Sequence, residues 1–218
     1  MPQGVIFDMD GVLVDSGPPH AASWRVLAAK HGVRMTDEDF AGTFGQTSRD
    51  IIRRFWGAGL SVDEMRRIDE EKEAIYRDSI RGNIPLTPGV HDVLRALRAA
   101  DFVLAVASSG PPDNIQLVLD EGGLAEFFTV VVTGFDVARG KPAPDCFLLA
   151  AERAGLSPTA AIVIEDAPAG IQATTAAGMK AIGLSGTHPG RRLMEAGATV
   201  VVERLSEITP ELVRGLLK

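Results

Sequence analysis

The sequence has little cysteine, no excess of basic residues and no long apolar run, and each shortage excludes a class of protein. Cys146 is the only cysteine among the 218 residues, so no intrachain disulfide can form, and we expect a reducing, cytoplasmic setting. The net charge of −7 argues against a protein that binds the phosphate backbone of nucleic acid. No apolar stretch approaches the ~20 residues that cross a bilayer, so we expect no membrane partner.

The remaining composition is typical of a folded protein with a substantial core. Hydrophobic residues make up 45% of the chain, and its length suits one large domain or a core with a smaller insert. The first residues, Met1-Pro2-Gln3, run almost directly into an apolar segment, so we expect no signal peptide. We expect a monomer.

Short apolar runs alternate with helical patterns along most of the chain. The first run, Val5-Ile6-Phe7, is followed by others that are rich in β-branched residues, as buried parallel strands are: Phe102–Ala107, Thr129–Thr133, Ala161–Ile164, Lys180–Leu184 and Thr199–Val202. The helical patterns cover Gly89–Ala100, Asp113–Glu121, Pro144–Ala154, Gly170–Ala177 and a segment from Pro210. This alternation predicts an α/β fold, a doubly wound parallel sheet with a Rossmann-like core.

Residues 17 to about 84 break this rhythm, because they contain helix signals and no convincing strand. The expected helices run from Pro18 to Lys30, from Ser48 to Trp56, and from Ser61 to a stop at Gly82. Glu64 completes a capping box with Ser61. We therefore predict a helical cap domain, residues 16–84, inserted after the first strand of a core formed by residues 1–15 and 85–218.

Polar residues follow the predicted strands. Ligands bind at the carboxyl ends of the strands in open α/β sheets, so we expect these residues to surround one crevice. They are Asp8 and Asp10 after the first strand, Ser108-Ser109-Gly110 after the second, Arg139-Gly140-Lys141-Pro142 after the third, and Glu165-Asp166 after the fourth.

This ordered set resembles the haloacid dehalogenase superfamily over essentially the whole chain. The residues that carry the resemblance are Asp8-Met9-Asp10-Gly11, Ser108, Lys141-Pro142 and Glu165-Asp166. The stretches GKPAPDCF (Gly140–Phe147) and IEDAPAGI (Ile164–Ile171) are similar to the subgroup that holds β-phosphoglucomutases and small phosphatases. The resemblance implies phosphoryl transfer through an aspartyl-phosphate with magnesium, and a helical cap placed after the first strand.

Four carboxylates gathered at one point, those of Asp8, Asp10, Glu165 and Asp166, would repel one another and require a cation or raised pKa values. The motifs offer oxygen ligands without histidine or thiolate, which selects a hard ion, so we expect Mg²⁺ as the cofactor. Asp8 and Asp166 are expected to bind the metal, and Glu165 would bind it either directly or through water. The resemblance also implies the backbone carbonyl of Asp10 as a ligand.

Asp8 is the expected nucleophile, because a carboxylate can attack phosphorus and form a covalent acyl phosphate. Asp10 is the expected general acid and base, which protonates the leaving oxygen and then activates water. Lys141 would pair with Asp8 and hold the charge on the phosphoryl oxygens. Each residue has a structural alternative. Asp8 could be a turn residue at the end of a strand, Asp10 a helix or turn cap, and Lys141 a surface charge.

Ser108 and the amides of Ser109 and Gly110 are expected to bind phosphate at a strand-to-helix junction. Since the two prolines that follow have no N–H group, the donors must precede them. A simple N-cap is the alternative for Ser108. Asp15 and Ser16 are predicted to cap the first helix of the insert, and Asp145 to cap the helix that begins near Pro144.

In the insert, His20 and Trp24 are four residues apart and share a helix face. By resemblance to β-phosphoglucomutase, His20, Trp24 and Arg49 map to cap residues that face the active site, where Arg49 would clamp a distal phosphate. The alternatives are that His20 pairs locally, that Trp24 belongs to the core of the insert and that Arg49 lies at the surface. Lys72 and Tyr76, also four apart, are further candidates.

These residues favour a Mg²⁺-dependent phosphohydrolase that acts on a small phosphorylated metabolite, such as a sugar phosphate. The rival within enzymes is a sugar phosphomutase. β-Phosphoglucomutases have a lysine shortly before the serine-arginine pair, whereas the matching stretch here, TFGQTSRD (Thr43–Asp50), has Gly45 and no lysine. The rival from another class is a regulator that binds a phosphometabolite without turnover; the Asp8/Asp10 pair argues against it, because binding needs neither a nucleophile nor a proton donor.

Overall fold

A computed structural model describes residues 2–41 and 47–218 of the chain. Within these ranges, six strands form one sheet in the order β3-β2-β1-β4-β5-β6, and every neighbouring pair is parallel. The strands are β1 (Gly4–Phe7), β2 (Val103–Ala107), β3 (Val130–Val132), β4 (Ala161–Glu165), β5 (Lys180–Leu184) and β6 (Val200–Val202). The predicted doubly wound α/β fold is therefore confirmed, and each predicted strand agrees with the structure to within one residue at either end.

The other main elements of the described residues are helices. They are α1 (Gly17–Lys30), α2 (Asp37–Ala41), α3 (Ser48–Trp56), α4 (Val62–Ile80), α5 (Val90–Ala99), α6 (Pro112–Glu121), α7 (Asp145–Arg153), α8 (Pro168–Ala176), α9 (Gly190–Glu195) and α10 (Pro210–Leu216). Ile6, Ala105 and Val163 share one core cluster with Phe147 of α7 and Ala173 of α8. This packing explains why β1 and β4, buried along their whole length, have apolar sequences up to Glu165 at the end of β4. No helix of the described residues is long and apolar enough to cross a membrane.

The chain divides into two compact units, Met1–Asp15 with Ile84–Lys218, and Ser16–Asn83. The first unit contains the sheet, and the second contains α1 to α4. The two segments that lead into and out of the second unit pair with each other inside the first unit. Asp15 N donates to Pro85 O at 2.8 Å, and Thr87 N donates to Leu13 O at 3.0 Å.

The helical unit has its own core, in which Trp24 and Leu27 of α1 join Ile52 of α3 and Met65 and Ile68 of α4. The predicted capping box at the start of α4 is confirmed. The Ser61 side chain accepts from Glu64 N, and Ser61 N donates to the Glu64 carboxylate at 2.8 Å. The helix ends before Gly82, whose φ of 74° is the left-handed conformation typical of a glycine that stops a helix.

Three capping predictions are wrong. Ser16 precedes α1, but neither it nor Asp15 caps the helix, because the N-cap position makes no side-chain hydrogen bond. Prolines in the first turn of α1 leave fewer N–H groups that need an acceptor. Asp145 is the first residue of α7 and not its cap; its carboxylate accepts two hydrogen bonds from the Arg139 guanidinium, at 2.7 and 3.0 Å.

Candidate active site

The predicted polar residues of the first unit lie at the point in the sheet where the order of the strands along the chain reverses. Strand β1 is central and pairs with β2 on one side and β4 on the other. In a sheet of this order the ligand site lies at the carboxyl ends of the strands, next to the strand at which the order reverses. Asp8 follows β1 directly, and its backbone N–H donates to Ile164 O of β4 at 3.0 Å. This bond extends the ladder and sets Asp8 beside the end of β4.

Three carboxylates gather at this point. Asp8, Glu165 and Asp166 are all buried, and one ligand oxygen from each lies within 4.8 Å of the others. Charged groups are buried in proteins when they are paired or when they bind a metal. The arrangement is therefore a candidate metal site made of oxygen ligands.

Lys141 is the positive partner of this cluster. Its Nζ donates to Asp8 Oδ1 at 2.8 Å and to Glu165 Oε1 at 2.7 Å, and it lies 4.8 Å from the centre of the Phe147 ring. Burial by itself would lower the pKa of Lys141, but the carboxylates of Asp8 and Glu165 raise it above its ordinary value. The lysine is thus held in its charged form, and the pairing with Asp8 predicted from the sequence is present.

The Lys141 ammonium does not balance the charge of the carboxylates. Burial, as the largest cause, and the charges of Glu165 and Asp10 together raise the pKa of Asp8 from 3.8 to about 7, against the effect of Lys141. Burial and the charges of Glu165 and Asp8 also raise the pKa of Asp166 well above its ordinary value. A bound cation would relieve this repulsion, which is the property expected of a metal site.

Glu165 has partners for both of its oxygens. While Oε1 accepts from Lys141, Oε2 accepts from the backbone N–H of Ala167 at 2.6 Å, at the start of α8. The side chain lies against Gly170, where an added Cβ would come within 2.6 Å of Glu165 Cγ. Glu165 is therefore fixed between a lysine and a helix N-terminus, close enough to Asp8 and Asp166 to share a metal.

Gly11 permits the sharp turn that follows the two aspartates. Its φ is 75°, and a Cβ there would lie 2.5 Å from Asp166 Cγ and 2.7 Å from Thr187 Oγ1. The Thr187 hydroxyl in turn hydrogen-bonds the Asp166 carboxylate and lowers its pKa against the effect of burial. The analysis of the sequence missed Thr187, because a threonine in a turn after β5 has no distinguishing pattern.

The loop after β2 contains the predicted phosphate-binding residues. Ser108 is 1% exposed, and its Oγ accepts from Gly110 N at 3.0 Å. The N-cap of α6 is Pro111, so the alternative reading of Ser108 as a simple N-cap is wrong. A Cβ on Gly110 would lie 3.8 Å from Asp10 Oδ2, which places this loop beside the Asp10 carboxylate.

In the helical unit, His20 belongs to a buried group of side chains. Its ring stacks on Tyr76 at 3.9 Å, and its Nδ1 lies 2.7 Å from Lys72 Nζ. An ammonium group can only donate, so Lys72 is the donor in this contact and His20 Nδ1 the acceptor. Lys72 is buried, also pairs with Glu73 at 2.8 Å, and lies 5.4 Å from the Trp24 ring. The sequence signal for Lys72 was its spacing of four from Tyr76.

Trp24 and Arg49 occupy different surroundings. Trp24 is 3% exposed within the core of the helical unit, which matches the structural alternative given for it. Arg49 is exposed and lines a cavity of about 220 Å³ together with Arg66 and Asp69. The structure thus brings His20, Trp24, Lys72 and Tyr76 together, while Arg49 lines an exposed cavity of the same unit. Residues 43–46 of the TFGQTSRD stretch lie outside the described residues.

Comparison with known proteins places this geometry in a family. A model of haloacid dehalogenase-like hydrolases matches residues 2–178. A phosphorylated carbohydrates phosphatase from Thermotoga maritima is 31% identical over 99% of this chain and 98% of its own length. The β-phosphoglucomutase of Bacillus subtilis is 32% identical, over 96% of this chain and 93% of its own.

A solved structure shows the same likeness over the whole chain. The crystal structure of a HAD hydrolase, family IA, variant 3, from Entamoeba histolytica superimposes with a TM-score of 0.92 at 28% identity, covering 99% of both chains. The resemblance stated from the motifs is therefore confirmed. The chain belongs to the haloacid dehalogenase-like hydrolases.

Proposed function

We propose that the protein is a Mg²⁺-dependent phosphohydrolase that removes phosphate from a small phosphorylated metabolite through an aspartyl-phosphate on Asp8. The observation that carries the proposal is the half-buried Lys141, which bridges Asp8 and Glu165 beside Asp166. A nucleophilic carboxylate, a fixed cation and a candidate metal site are the parts that phosphoryl transfer requires.

The donor set fits a magnesium ion. Buried carboxylate oxygens within 4.8 Å of one another, two of them on groups with raised pKa values, are suited to a hard divalent cation. Asp8, Asp166 and the carbonyl of Asp10 would hold it, with Glu165 bound directly or through water. When bound, the ion neutralises carboxylate charge and polarises the phosphoryl group.

Asp8 performs the first step. One carboxylate oxygen attacks phosphorus as the bond from phosphorus to the leaving oxygen breaks, and the phosphoryl group passes to Asp8. Lys141 holds one Asp8 oxygen at 2.8 Å, which orients the carboxylate and places positive charge beside the phosphoryl oxygens. Ser108 and the amides of Ser109 and Gly110 bind these oxygens on the β2 side.

Asp10 moves the protons. In its acid form it protonates the leaving oxygen, so that the metabolite departs as an alcohol. The resulting carboxylate then takes a proton from water as the water oxygen attacks the phosphorus of the aspartyl-phosphate. Inorganic phosphate leaves, and Asp8 and the protonated Asp10 are restored.

The substrate class is proposed from the relatives and from the helical unit. The Thermotoga maritima relative is named for phosphorylated carbohydrates, and a relative from Escherichia coli, 31% identical over 82% of this chain, is named a fructose-1-phosphate phosphatase. We assign residues 16–84 as a cap in which His20 and Arg49 select the substrate, while Trp24, the third predicted residue, belongs to the core of that unit. The charged, exposed Arg49 suits a second anionic group.

Water is the proposed acceptor rather than a second sugar hydroxyl. A mutase must grip a bisphosphate at both ends, and the Thr43–Asp50 stretch supplies Arg49 without the lysine expected of β-phosphoglucomutases. Loss of a charge-assisted contact costs roughly 1.5–3 kcal/mol, or about tenfold or more in retention of a bisphosphate.

Two assays test the proposal. A chromogenic phosphate ester should be hydrolysed by the wild type with Mg²⁺ and not with chelator, and Asp8→Asn should be inactive; wild-type rates in that variant would refute the covalent mechanism. With β-glucose 1-phosphate, a bisphosphate primer and Mg²⁺, inorganic phosphate should be the main product. Rapid accumulation of glucose 6-phosphate would establish the mutase instead, and binding of phosphate without either reaction would establish the regulator.

A further inference from the structure

The turn after β3 contacts the backbone of the loop after β2. Gly134 N donates to Gly110 O at 3.1 Å. A Cβ on Gly134 would overlap the carbonyl oxygen of Ser109 and lie 2.9 Å from its carbonyl carbon. The φ of Gly134 lies outside the left-handed region, so the close approach of two backbones is what requires a glycine here.

This contact restrains one peptide group. The carbonyl of Ser109 and the N–H of Gly110 belong to the same planar trans peptide, so they point in opposite directions. Gly134 packs against the oxygen, and the N–H points to Ser108 Oγ at 3.0 Å. The same peptide lies near Asp10, the proposed acid and base, since a Cβ on Gly110 would be 3.8 Å from Asp10 Oδ2.

Asp136 holds the turn in place. Its Oδ2 accepts from Thr133 N at 2.8 Å and from Thr133 Oγ1 at 2.7 Å, and its Oδ1 accepts from Arg153 of α7 at 3.0 Å. The hydrogen bonds from Thr133 lower the pKa of Asp136, which keeps the carboxylate charged. The turn is thereby anchored to a helix that is itself packed in the core.

We propose that Gly134 and Asp136 are positioning residues that hold the Ser109–Gly110 peptide, whose N–H fixes the Ser108 hydroxyl as a donor to the phosphoryl group, an inference that rests on the proposed function. Neither residue touches the substrate. A hydrogen-bond donor that is fixed in advance stabilises developing charge without reorganisation at the moment of reaction. The turn at Gly134 contacts the carbonyl edge of the Ser109–Gly110 peptide and thereby supplies this fixation.

The test compares two variants with two controls on the full chain in Mg²⁺. Asp136→Asn removes the charge that anchors the turn, and Gly134→Ala introduces a Cβ against Ser109. The controls are Asp92→Asn, in an exposed pair with Arg95, and Gly215→Ala, where a Cβ meets no atom within 4 Å. Inorganic phosphate is the probe, and its Kd is measured from the Gly110 amide resonance.

We expect Asp136→Asn to move the Gly110 resonance in the absence of phosphate and to raise the phosphate Kd roughly three- to tenfold, the range for one lost hydrogen bond. Gly134→Ala should have a larger effect, and the controls none. If Gly134→Ala does not fold, Asp136→Asn decides the question. An unmoved Gly110 resonance and an unchanged Kd in Asp136→Asn overturn the inference alone, whereas a wild type that binds no phosphate overturns the proposed function and the inference with it.

Discussion

Asp8→Asn should stabilise the metal-free protein at alkaline pH. In the folded chain, burial raises the pKa of Asp8 from 3.8 to about 7. At about 1.36 kcal/mol for each pKa unit, an ionised Asp8 lowers the free energy of unfolding by about 4 kcal/mol once the pH is well above 7. Asparagine has nearly the same shape and no charge, and it can still accept from Lys141, so the variant avoids this cost.

The direction of the pH dependence follows from proton binding. A carboxyl group whose pKa is raised by folding binds more protons in the folded state between its two pKa values, so the wild type loses stability as the pH rises from about 4 to about 7. Below that range both states are protonated and the effect disappears. The advantage of Asp8→Asn should therefore be about 4 kcal/mol at pH 8 and about 1–2 kcal/mol at pH 5.

Urea unfolding in chelator at these two pH values measures the difference. Asp136→Asn is a control of opposite sign, since hydrogen bonds from Thr133 lower the pKa of Asp136 and its charge stabilises the fold. Mg²⁺ should reduce the difference in the free energy of unfolding between Asp8→Asn and the wild type, because an ion that binds the folded wild type stabilises it. A variant less stable than the wild type at pH 8, or a difference that does not change with pH, would refute the reasoning.

Three further outcomes concern the site. Asp10→Asn should form an aspartyl-phosphate with an activated donor but release it ~10²–10⁴-fold more slowly, seen as a persistent mass increase; release at the wild-type rate contradicts the role of Asp10. Asp166→Ala should raise the Mg²⁺ concentration needed for half-maximal activity, and wild-type activity that survives exhaustive chelation would sink the metal assignment. Arg49→Ala, compared with Arg67→Ala, should weaken substrates that carry a second anionic group and spare a small acyl phosphate donor, whereas equal losses on both would make Arg49 structural.

The strands could be predicted closely because each is a short apolar run bounded by polar residues. Strands β1 and β4 are buried along their whole length, and their sequences are apolar up to Glu165, the last residue of β4. Helices α2 and α9 were not predicted, because a short helix has too few turns to show a repeat; α9 buries Leu193 as its apolar contact. The cap predicted for Ser16 is wrong because two prolines in the first turn of the helix have no N–H group, so fewer donors there need an acceptor.

The candidate site was predictable where it depends on topology and not where it depends on side-chain packing. The pair of Lys141 and Asp8 followed from the rule that the carboxyl ends of parallel strands meet at one edge. The bond from Ala167 N to Glu165 depends on where α8 begins, and the contact of Thr187 with Asp166 depends on the space left by Gly11. No pattern in the sequence encodes either distance.

The hydrogen bonds that join Leu13 and Asp15 to Thr87 and Pro85 affect how the chain tolerates change. They bring the ends of the helical insert together using residues of the sheet-containing unit alone. The entropy of closing a loop grows slowly with its length, by about 0.6 kcal/mol for each doubling. An insert of another length or sequence would therefore lower the stability of the rest of the chain only slightly. The residues proposed to select a substrate can then be exchanged as one module, while the carboxylates and the lysine of the candidate site keep their places.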